Sequence, residues 1–210
     1  FPGLIDSHTH LVFGGSRQDE WARKLTGVPY MQIAAEGGGI NATVRATRAA
    51  SEDELYERAS RWLDEMLSWG VTCVEGKTGY GLDTGTELKI LEVMERLDKQ
   101  HAVEVIPTFM GAHDFPPEYR ENREAYIRLI LDEMLPAVGE QGYARFCDVF
   151  CEEGAFSPDQ ASRILIAAQD YGMVPRLHAD QFRDSGAAEL AADIGAIAAD
   201  HLENMDDRNI

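Results

Sequence analysis

Short apolar runs alternate with amphipathic stretches along the whole chain. The runs have the length and composition of buried β-strands. The first opens at Leu4 and ends in His8-Thr9-His10, and the others are predicted at 71–77, 103–110, 146–151, 174–178 and 196–201. Six strands separated by helical segments therefore account for most of the sequence.

The segments between the apolar runs carry apolar residues at every third or fourth position, which predicts helices that pack on a sheet. Helices are predicted at 18–25, 30–36, 42–49, 51–69, 84–97, 126–134, 157–171 and 185–193. Ser51 with Glu54 forms a capping-box pattern, and Ser157, which is followed by proline, marks another helix start. Thr84 or Thr86 is predicted to cap the helix between the second and third strands.

The strict alternation of strand and helix predicts parallel strands joined by right-handed crossovers. Two α/β architectures fit this order, an open doubly wound sheet and a closed (β/α)8 barrel of the TIM type. The first strand is not followed by Gly-x-Gly-x-x-Gly, so the dinucleotide-binding form of the open sheet loses its main support. No linker divides the chain, and we predict a single barrel domain over residues 1–210.

Five of the six histidines fall where a predicted strand ends, namely His8, His10, His113, His178 and His201. Side chains two apart on a strand point to the same side, so His8 and His10 can face one point. A single His-x-His pair is weak support for a metal site, since most such histidines are ordinary core or surface residues. In a barrel, however, the C-terminal strand ends meet at one face, and five imidazoles there predict a divalent metal site.

Composition restricts the partners and the compartment. The 210-residue chain has a formal net charge of −18. This charge repels phosphate backbones and anionic lipid, so we expect neither nucleic acid nor a membrane as a partner. Three cysteines without a CxxC pair fit a reducing, cytoplasmic location. The sequence leaves the oligomeric state open, a homodimer included, and since Phe1 is not a natural start, it also leaves open an upstream leader.

Several motifs spread over the chain match one known group of proteins. They are HTHLVFGGSR at 8–17, GGGI at 37–40 followed by TVRATR, KTGYGLD at 77–83, GAHDFP at 111–116, DVFCEEGAFS at 148–157 and LHADQF at 177–182. Together with the opening PGLIDSHTH they resemble the amidohydrolase superfamily of metal-dependent barrel hydrolases, and within it the imidazolonepropionase family. The resemblance implies hydrolysis of the cyclic amide of 4-imidazolone-5-propanoate to N-formimidoyl-L-glutamate, a step of histidine degradation.

The resemblance further implies a centre with one zinc or iron ion. His8, His10 and His178 are its implied protein ligands, joined by an aspartate from the eighth strand. Only six strands are predicted here, so we expect that aspartate and the last two strand-helix units to lie outside the chain, together with the small β domain that precedes the barrel in relatives. Residues 1–210 are therefore expected to be a central portion of a longer protein and to be inactive in isolation.

Two further residues follow from the chemistry expected at this centre. A bound metal can lower the pKa of its water to about 7, and the resulting hydroxide attacks the ring carbonyl. His201 is expected to polarise that carbonyl or to orient the nucleophile. Gln181 stands where some relatives carry Glu, and an amide can hydrogen-bond to ring nitrogens but cannot shuttle a proton. The general base is then His201 or the eighth-strand aspartate.

The propionate of such a substrate requires a cation, and Arg17 lies in the loop after the first strand. Its guanidinium fork suits bidentate pairing with a carboxylate, and the resemblance assigns it that role. Tyr30, Tyr80 and His113 are assigned to the substrate pocket by the same resemblance. Tyr80 stands between glycines, which leaves room for its ring to reach a ligand.

Lys77 requires separate interpretation. Related hydrolases with two metals use a carboxylated lysine at the end of the fourth strand, whereas residues 147–157 contain no lysine. Lys77 belongs to the second strand and is interpreted as a structural residue or a charge partner.

Two other functions remain open. One is another mononuclear amidohydrolase, such as a cyclic amidase or a ring aminohydrolase, which does not need Arg17. The other is a non-catalytic metal-binding protein.

Overall fold

Six parallel strands, paired side by side in sequence order, form the wall of a nearly closed barrel. The structure is a computed structural model that describes residues 1–29, 32–33 and 36–207. The strands are β1 (Leu4–Thr9), β2 (Val71–Lys77), β3 (Glu104–Ala112), β4 (Phe146–Cys151), β5 (Val174–Ala179) and β6 (Ala198–His201). The predicted parallel α/β barrel is confirmed, with six strands and the helices between them in the described part of this chain.

Helices connect successive strands. Those described are α1 (Gln18–Leu25), α2 (Ile40–Ala49), α3 (Glu52–Ser68), α4 (Thr84–Gln100), α5 (Arg123–Leu129), α6 (Leu135–Gln141), α7 (Pro158–Gln169) and α8 (Ala187–Asp193). A 3₁₀ turn at Pro117–Tyr119 precedes α5, and a π-helical segment at Ile130–Met134 joins α5 to α6. None of the helices in the described part of the chain has both the length and the apolar character needed to cross a bilayer.

Most predicted elements occur at the expected places, with shifted ends. The bounds of β2, β4 and α1 are those predicted, whereas β3 extends to Ala112 and β6 begins only at Ala198. Helix α2 begins at Ile40 and α8 at Ala187, two residues from the predicted positions in each case. The helix predicted at 30–36 lies largely outside the described residues.

Side-chain caps fix four of the described helix starts, at Ser51, Asp83, Asn122 and Ser157. Ser51 and Ser157 both form capping boxes, with Glu54 and Gln160 respectively, so these two predictions are confirmed. The cap predicted at Thr84 or Thr86 is wrong, because Asp83 holds that position. Its carboxylate accepts hydrogen bonds from the backbone N–H of Thr86 at 2.8 Å and from the Thr86 hydroxyl at 3.0 Å. A carboxylate at the N-cap also interacts favourably with the helix dipole.

The hydrophobic core fills the layer between the barrel wall and the helices. Leu63 of α3, Leu91 and Met94 of α4 and Leu165 of α7 are fully buried there, together with Val74 of β2. Polar residues are buried within the strands and toward their C-terminal ends, where the sequence places the histidines: Glu75, Lys77, Thr108, Asp148 and His178. The fold therefore separates an apolar layer that supplies stability from a polar end that carries the candidate site.

Two strands are irregular close to that polar end. The register of β1 against β2 shifts between Asp6 and Thr9, and the register of β3 against β4 shifts between Phe109 and Ala112. In both cases three steps along one strand match two along its partner, which is the count of a β-bulge. Bulges of this kind re-aim side chains, and here they lie at His8 and immediately before His113.

Candidate metal centre

Five histidine rings meet at the C-terminal end of the barrel. The ring centroids of His8 and His178 are 4.5 Å apart, and those of His10 lie 6.1 Å from His8 and 6.0 Å from His178. His201 is 5.2 Å from His178 and 5.3 Å from His8, and His113 stacks on His10 at 4.5 Å. Every histidine predicted at a strand end therefore belongs to one cluster.

Three of these histidines lie close enough together to hold a metal ion. One ring nitrogen each of His8, His10 and His178 lies within 4.8 Å of the other two. The Nδ1 of His10 lies 2.9 Å from the carbonyl oxygen of Thr78, and the Nδ1 of His178 lies 3.0 Å from Oδ1 of Asp148. Donation from Nδ1 fixes the tautomer in which Nε2 carries the free lone pair for a ligand bond.

His8 is held by a carboxylate as well. Its Nδ1 is 2.9 Å from Oδ2 of Asp200. This oxygen is buried, so the ring nitrogen of His8 lies close to a carboxylate oxygen that is shielded from solvent. All three candidate ligands thus have Nδ1 next to an oxygen acceptor.

The loop at 78–82 positions two rings through its backbone. The carbonyl of Thr78 accepts from His10, and the carbonyl of Gly79 lies 2.9 Å from Nδ1 of His113. Gly79 has φ +101°, and a Cβ there would stand 2.8 Å from the Cβ of His113. Only glycine fits this conformation and this close approach. The ring of Tyr80 lies 5.2 Å from that of His10 and 5.4 Å from that of His113.

A buried carboxylate holds this loop from below. Glu87 of α4 accepts hydrogen bonds from the backbone N–H groups of Gly79, Gly81 and Leu82 at 2.8–3.1 Å. Burial raises the pKa of Glu87 above its usual value, and these hydrogen bonds oppose part of that rise. Sequence reasoning missed this residue, because a glutamate in the first turn of a helix is ordinarily a solvated charge.

An ionic cluster lies directly behind the histidines. Lys77 is completely buried, and its Nζ is 2.6 Å from Asp148, 3.0 Å from Glu75 and 3.0 Å from Asp200. Arg176 adds a second cation, 3.2 Å from Glu75 and 3.4 Å from Asp200. Lys77 is thus a charge partner, as interpreted from the sequence. The carboxylates were missed, although Asp148 interrupts the apolar strand FCDVFC and Glu75 follows VTCV, which are signals of a buried charge that needs a partner.

The cluster and the burial of the rings set the protonation states. Burial alone would raise the pKa of Asp148, but His178 and Lys77 outweigh it and hold that pKa well below its usual range. Burial and the neighbouring His113 lower the pKa of His10 well below its usual value, and burial lowers the pKa of His113 to about 4. These imidazoles are neutral at pH 7, the form that binds a metal.

His201 closes the cluster from a strained backbone. Its φ is +79°, in the left-handed region that non-glycine residues rarely adopt, and Leu202 follows with φ +67°. Burial, followed by the nearby His178, lowers the pKa of His201. Such strain at the end of a short strand is a signal that sequence reading cannot provide.

The remaining predicted site residues do not contact the histidines through any interaction found in the described part of the chain. Arg17 is exposed immediately before α1, and its backbone carbonyl accepts from Trp21 at 3.1 Å. Gln181 is partly buried, and its backbone carbonyl accepts from the side-chain amide of Asn204 at 2.7 Å. Tyr30 lies outside the described residues.

The sequence profile described as the amidohydrolase family matches residues 1–210, the whole chain. The chain belongs to the amidohydrolase family. Amidohydrolases are generally metal-dependent, in agreement with the histidine cluster.

Curated amidohydrolases named imidazolonepropionase are similar over nearly all of this chain. The protein from Alkaliphilus metalliredigens is 56% identical over 201 residues, which cover 96% of this chain and 48% of that protein. Those from Geobacillus kaustophilus and Clostridium tetani are 53% and 54% identical over 209 residues, covering 100% of this chain and 49% and 50% of those proteins. The chain thus spans about half the length of the curated relatives it matches.

Solved amidohydrolase barrels share the fold at low sequence identity. A 5-methylcytosine deaminase from Klebsiella pneumoniae, liganded with 5-fluorocytosine, superposes with a TM-score of 0.62 at 17% identity, covering 92% of this chain and 44% of that one. A cog1816 amidohydrolase from Burkholderia ambifaria, solved with bound Zn, gives a TM-score of 0.56 at 17% identity, covering 93% and 57%. These similarities support the barrel architecture.

Proposed function

We propose that the whole protein is an imidazolonepropionase, which hydrolyses the cyclic amide of 4-imidazolone-5-propanoate to N-formimidoyl-L-glutamate in histidine degradation. The observation that carries the proposal is the group formed by His8, His10 and His178, each with Nδ1 beside an oxygen acceptor. The 50–56% identity to curated imidazolonepropionases supports the choice of substrate.

The donor set fits one zinc or iron ion. Neutral imidazoles are common ligands of both metals. A second group of residues is close enough to hold an ion, namely Asp148, His178 and Asp200. Both of its carboxylates contact the ammonium of Lys77, and this positive charge disfavours a further cation there. When bound, such an ion lowers the pKa of a water molecule and polarises a carbonyl.

The other residues of the cluster have roles that follow from their chemistry. His201 is neutral at pH 7 and lies beside His8 and His178, so its ring nitrogen can accept a proton from the attacking water or donate to the amide carbonyl. His113 and Tyr80 flank His10 and line the pocket for the substrate ring. Gln181 contributes amide hydrogen bonds to the ring nitrogens without transferring a proton, and Tyr30 is proposed for the same pocket.

Arg17 is the proposed partner of the substrate's propionate. It is exposed and makes no ion pair with any residue in the described ranges, so its guanidinium is available to a carboxylate ligand. A charged hydrogen bond contributes roughly 1.5 to 3 kcal/mol.

The test compares two substrates and four proteins, each made from the complete reading frame. Arg17→Ala is expected to lower kcat/KM for 4-imidazolone-5-propanoate about 10- to 150-fold, and Arg17→Lys to recover little of the loss because lysine lacks the fork. With an analogue that lacks the propionate arm, the parent and Arg17→Ala should be equal. Arg61→Ala, which removes an exposed arginine of α3, is the matched control. If the parent protein hydrolysed the analogue without the propionate arm as fast as 4-imidazolone-5-propanoate, the result would favour a different cyclic amidase or a ring aminohydrolase.

We also propose the setting in which the enzyme acts. Two further strand-helix units would complete the barrel beyond β1 and β6, which pair only with β2 and β5 among the described residues. Free Cys73, Cys147 and Cys151 suit the reducing cytoplasm. The net charge of −18 favours a small-molecule substrate over nucleic acid or a membrane surface.

A further inference from the structure

The buried ammonium of Lys77 connects two of the candidate metal ligands through their carboxylate partners. Lys77 lies at the end of β2 with no exposed side-chain surface. Its Nζ is 2.6 Å from Oδ2 of Asp148 on β4 and 3.0 Å from Oδ2 of Asp200 on β6. One side chain therefore contacts carboxylates from two strands that are not neighbours in the sheet.

Each of these carboxylates also contacts a histidine of the metal group. Asp148 uses Oδ1 for His178, accepting from its backbone N–H at 3.1 Å and lying 3.0 Å from its Nδ1, while Oδ2 is left to Lys77. Oδ2 of Asp200 lies between Nδ1 of His8 and Nζ of Lys77, at 2.9 and 3.0 Å. Both routes lead from the same ammonium to a ring that offers Nε2 to the metal.

A carboxylate without Lys77 would be free to turn or to repel its neighbour. Asp148 is completely buried, and Asp200 is 16% exposed. Two like charges that share such a site need a cation between them, and among the lysines and arginines of the described chain only Lys77 is found in an ion pair with both. Arg176 forms ion pairs with Asp200 and Glu75; it is the register partner of Asp148 across β4 and β5, but no ion pair between the two side chains is found among the described residues.

We propose that Lys77 is a positioning residue, which fixes Asp148 and Asp200 and through them sets the ring orientations of His178 and His8 for metal binding. This inference rests on the metal site of the proposed function and extends it to a residue outside the ligand set. Partners of this outer kind typically change metal affinity 10- to 100-fold when removed.

The experiment measures zinc affinity by competition with a chromophoric chelator in the protein made from the complete reading frame. Lys77→Met keeps the length of the stem and removes the ammonium, and we expect the apparent Kd for zinc to rise at least tenfold. Arg176→Met removes a positive charge from the same cluster at a residue that forms no ion pair with Asp148 in the described structure, and we expect less than a threefold change. The visible spectrum of the Co²⁺-substituted protein should shift in Lys77→Met and stay unchanged in Arg176→Met. Equal affinities and spectra in the two variants would overturn the proposal.

A charge-balanced pair of variants covers the case in which Lys77→Met does not fold. Lys77→Met combined with Asp200→Asn keeps the net charge of the cluster, and it is compared with Asp200→Asn alone by circular dichroism and zinc titration. The double variant should bind zinc at least tenfold more weakly than the single one, because Asp148 has lost its ammonium. Identical zinc binding by the two would also overturn the proposal.

These measurements are independent of the substrate. A parent protein that binds one zinc but does not hydrolyse imidazolonepropionate would contradict the proposed function and leave the Lys77 comparison intact. A parent that binds no zinc or iron would contradict both.

Discussion

Each histidine of the metal group is held through one ring nitrogen, and the acceptors come from different parts of the chain. His10 uses a backbone carbonyl of the loop after β2, whereas His178 and His8 use the carboxylates of Asp148 and Asp200. Backbone and carboxylate acceptors of this kind fix both the tautomer and the ring plane. The orientation of the three candidate ligands is therefore fixed by the protein itself.

Removal of a single ligand should empty the site. The protein made from the complete reading frame is expected to hold about one zinc or iron per chain, and His178→Ala to hold less than a tenth of that after dialysis, because two imidazoles bind too weakly. His101→Ala is the matched control, because His101 lies outside the histidine cluster. Its Nε2 is 3.1 Å from Oδ1 of Asp64. Elemental analysis decides the question, and two ions per chain or full occupancy in His178→Ala would contradict the assignment.

Glu87 should make stability depend on pH in a direction opposite to most carboxylates. Its native pKa is raised by burial, so the folded state holds the proton more tightly than the unfolded state. The resulting stabilisation is complete below the unfolded pKa of about 4.3 and is lost as pH rises through the native pKa. In Glu87→Gln this dependence is absent, but the amide has only one oxygen for the loop N–H groups, which costs about 1 to 3 kcal/mol.

The measurement is urea unfolding of the parent and of Glu87→Gln between pH 4 and 8. At low pH we expect the parent to have the larger free energy of unfolding of the two proteins. We expect this difference between the parent and Glu87→Gln to narrow as the pH rises. A difference that widens with pH would mean that Glu87 is stabilised as the anion, against the effect of its burial.

The sequence predicted the titratable residues at strand ends better than those inside strands. His8, His10, His113, His178 and His201 could be found because a barrel brings strand ends together whatever its loops do. Asp148 and Glu75 lie within strands, where pairing depends on which side chain reaches across the interior. Which side chains meet across the interior depends on the register between the strands of the barrel. The order of residues in the sequence does not reveal that register.

At the scale of the elements, regular alternation was too simple a description of β1. The sequence argument placed His8 and His10 on one side of a regular strand, but the pairing with β2 shifts between Asp6 and Thr9. The ring centroids of His8 and His10 are nevertheless only 6.1 Å apart, because the bulge turns the end of the strand toward the cluster. A bulge adds one residue without any change in composition, so periodicity does not reveal it.

Helix α7 provides a test of a cap that was predicted from sequence. It packs on β4 and β5, which carry Asp148 and His178, and Ser157 accepts the hydrogen bond of the Gln160 N–H at 3.3 Å. Ser157→Ala should lower the free energy of unfolding by about 1 kcal/mol. Ser68→Ala, at the far end of α3, should change it by less than about 0.5 kcal/mol. Equal losses in the two variants, measured by denaturant unfolding, would contradict the capping role.

At the scale of the whole molecule, the order and direction of the strands were predictable and the way the barrel continues was not. Alternating elements specify parallel neighbours, and the observed order β1 to β6 follows the sequence. The edge strand β1 shows Leu4 and Ile5 at 60% and 70% exposure. An apolar edge of this kind is a surface for pairing with additional strands.

Residues 1–210 expressed alone should therefore associate and show no hydrolysis of imidazolonepropionate. Ile5→Lys in the same segment should reduce the association, because a charge on an edge strand opposes pairing with another chain. The product of the complete reading frame is the reference for monodispersity, metal content and turnover. A monodisperse, active preparation of residues 1–210 would contradict the proposed extension of the barrel.

The distance in sequence between the ligands has a consequence for biosynthesis. His178 follows His10 by roughly 170 residues, so at ribosomal rates of 5–20 residues per second the two leave the ribosome about 10 to 35 s apart. During that interval the nascent chain carries only two of the three candidate ligands, so a site formed by all three cannot act as the nucleus around which the barrel assembles. An ion held by the three candidate ligands would join the first strand to the fifth only after both are in place, and under our proposal the ionic cluster around Lys77 would hold the ring orientations until then.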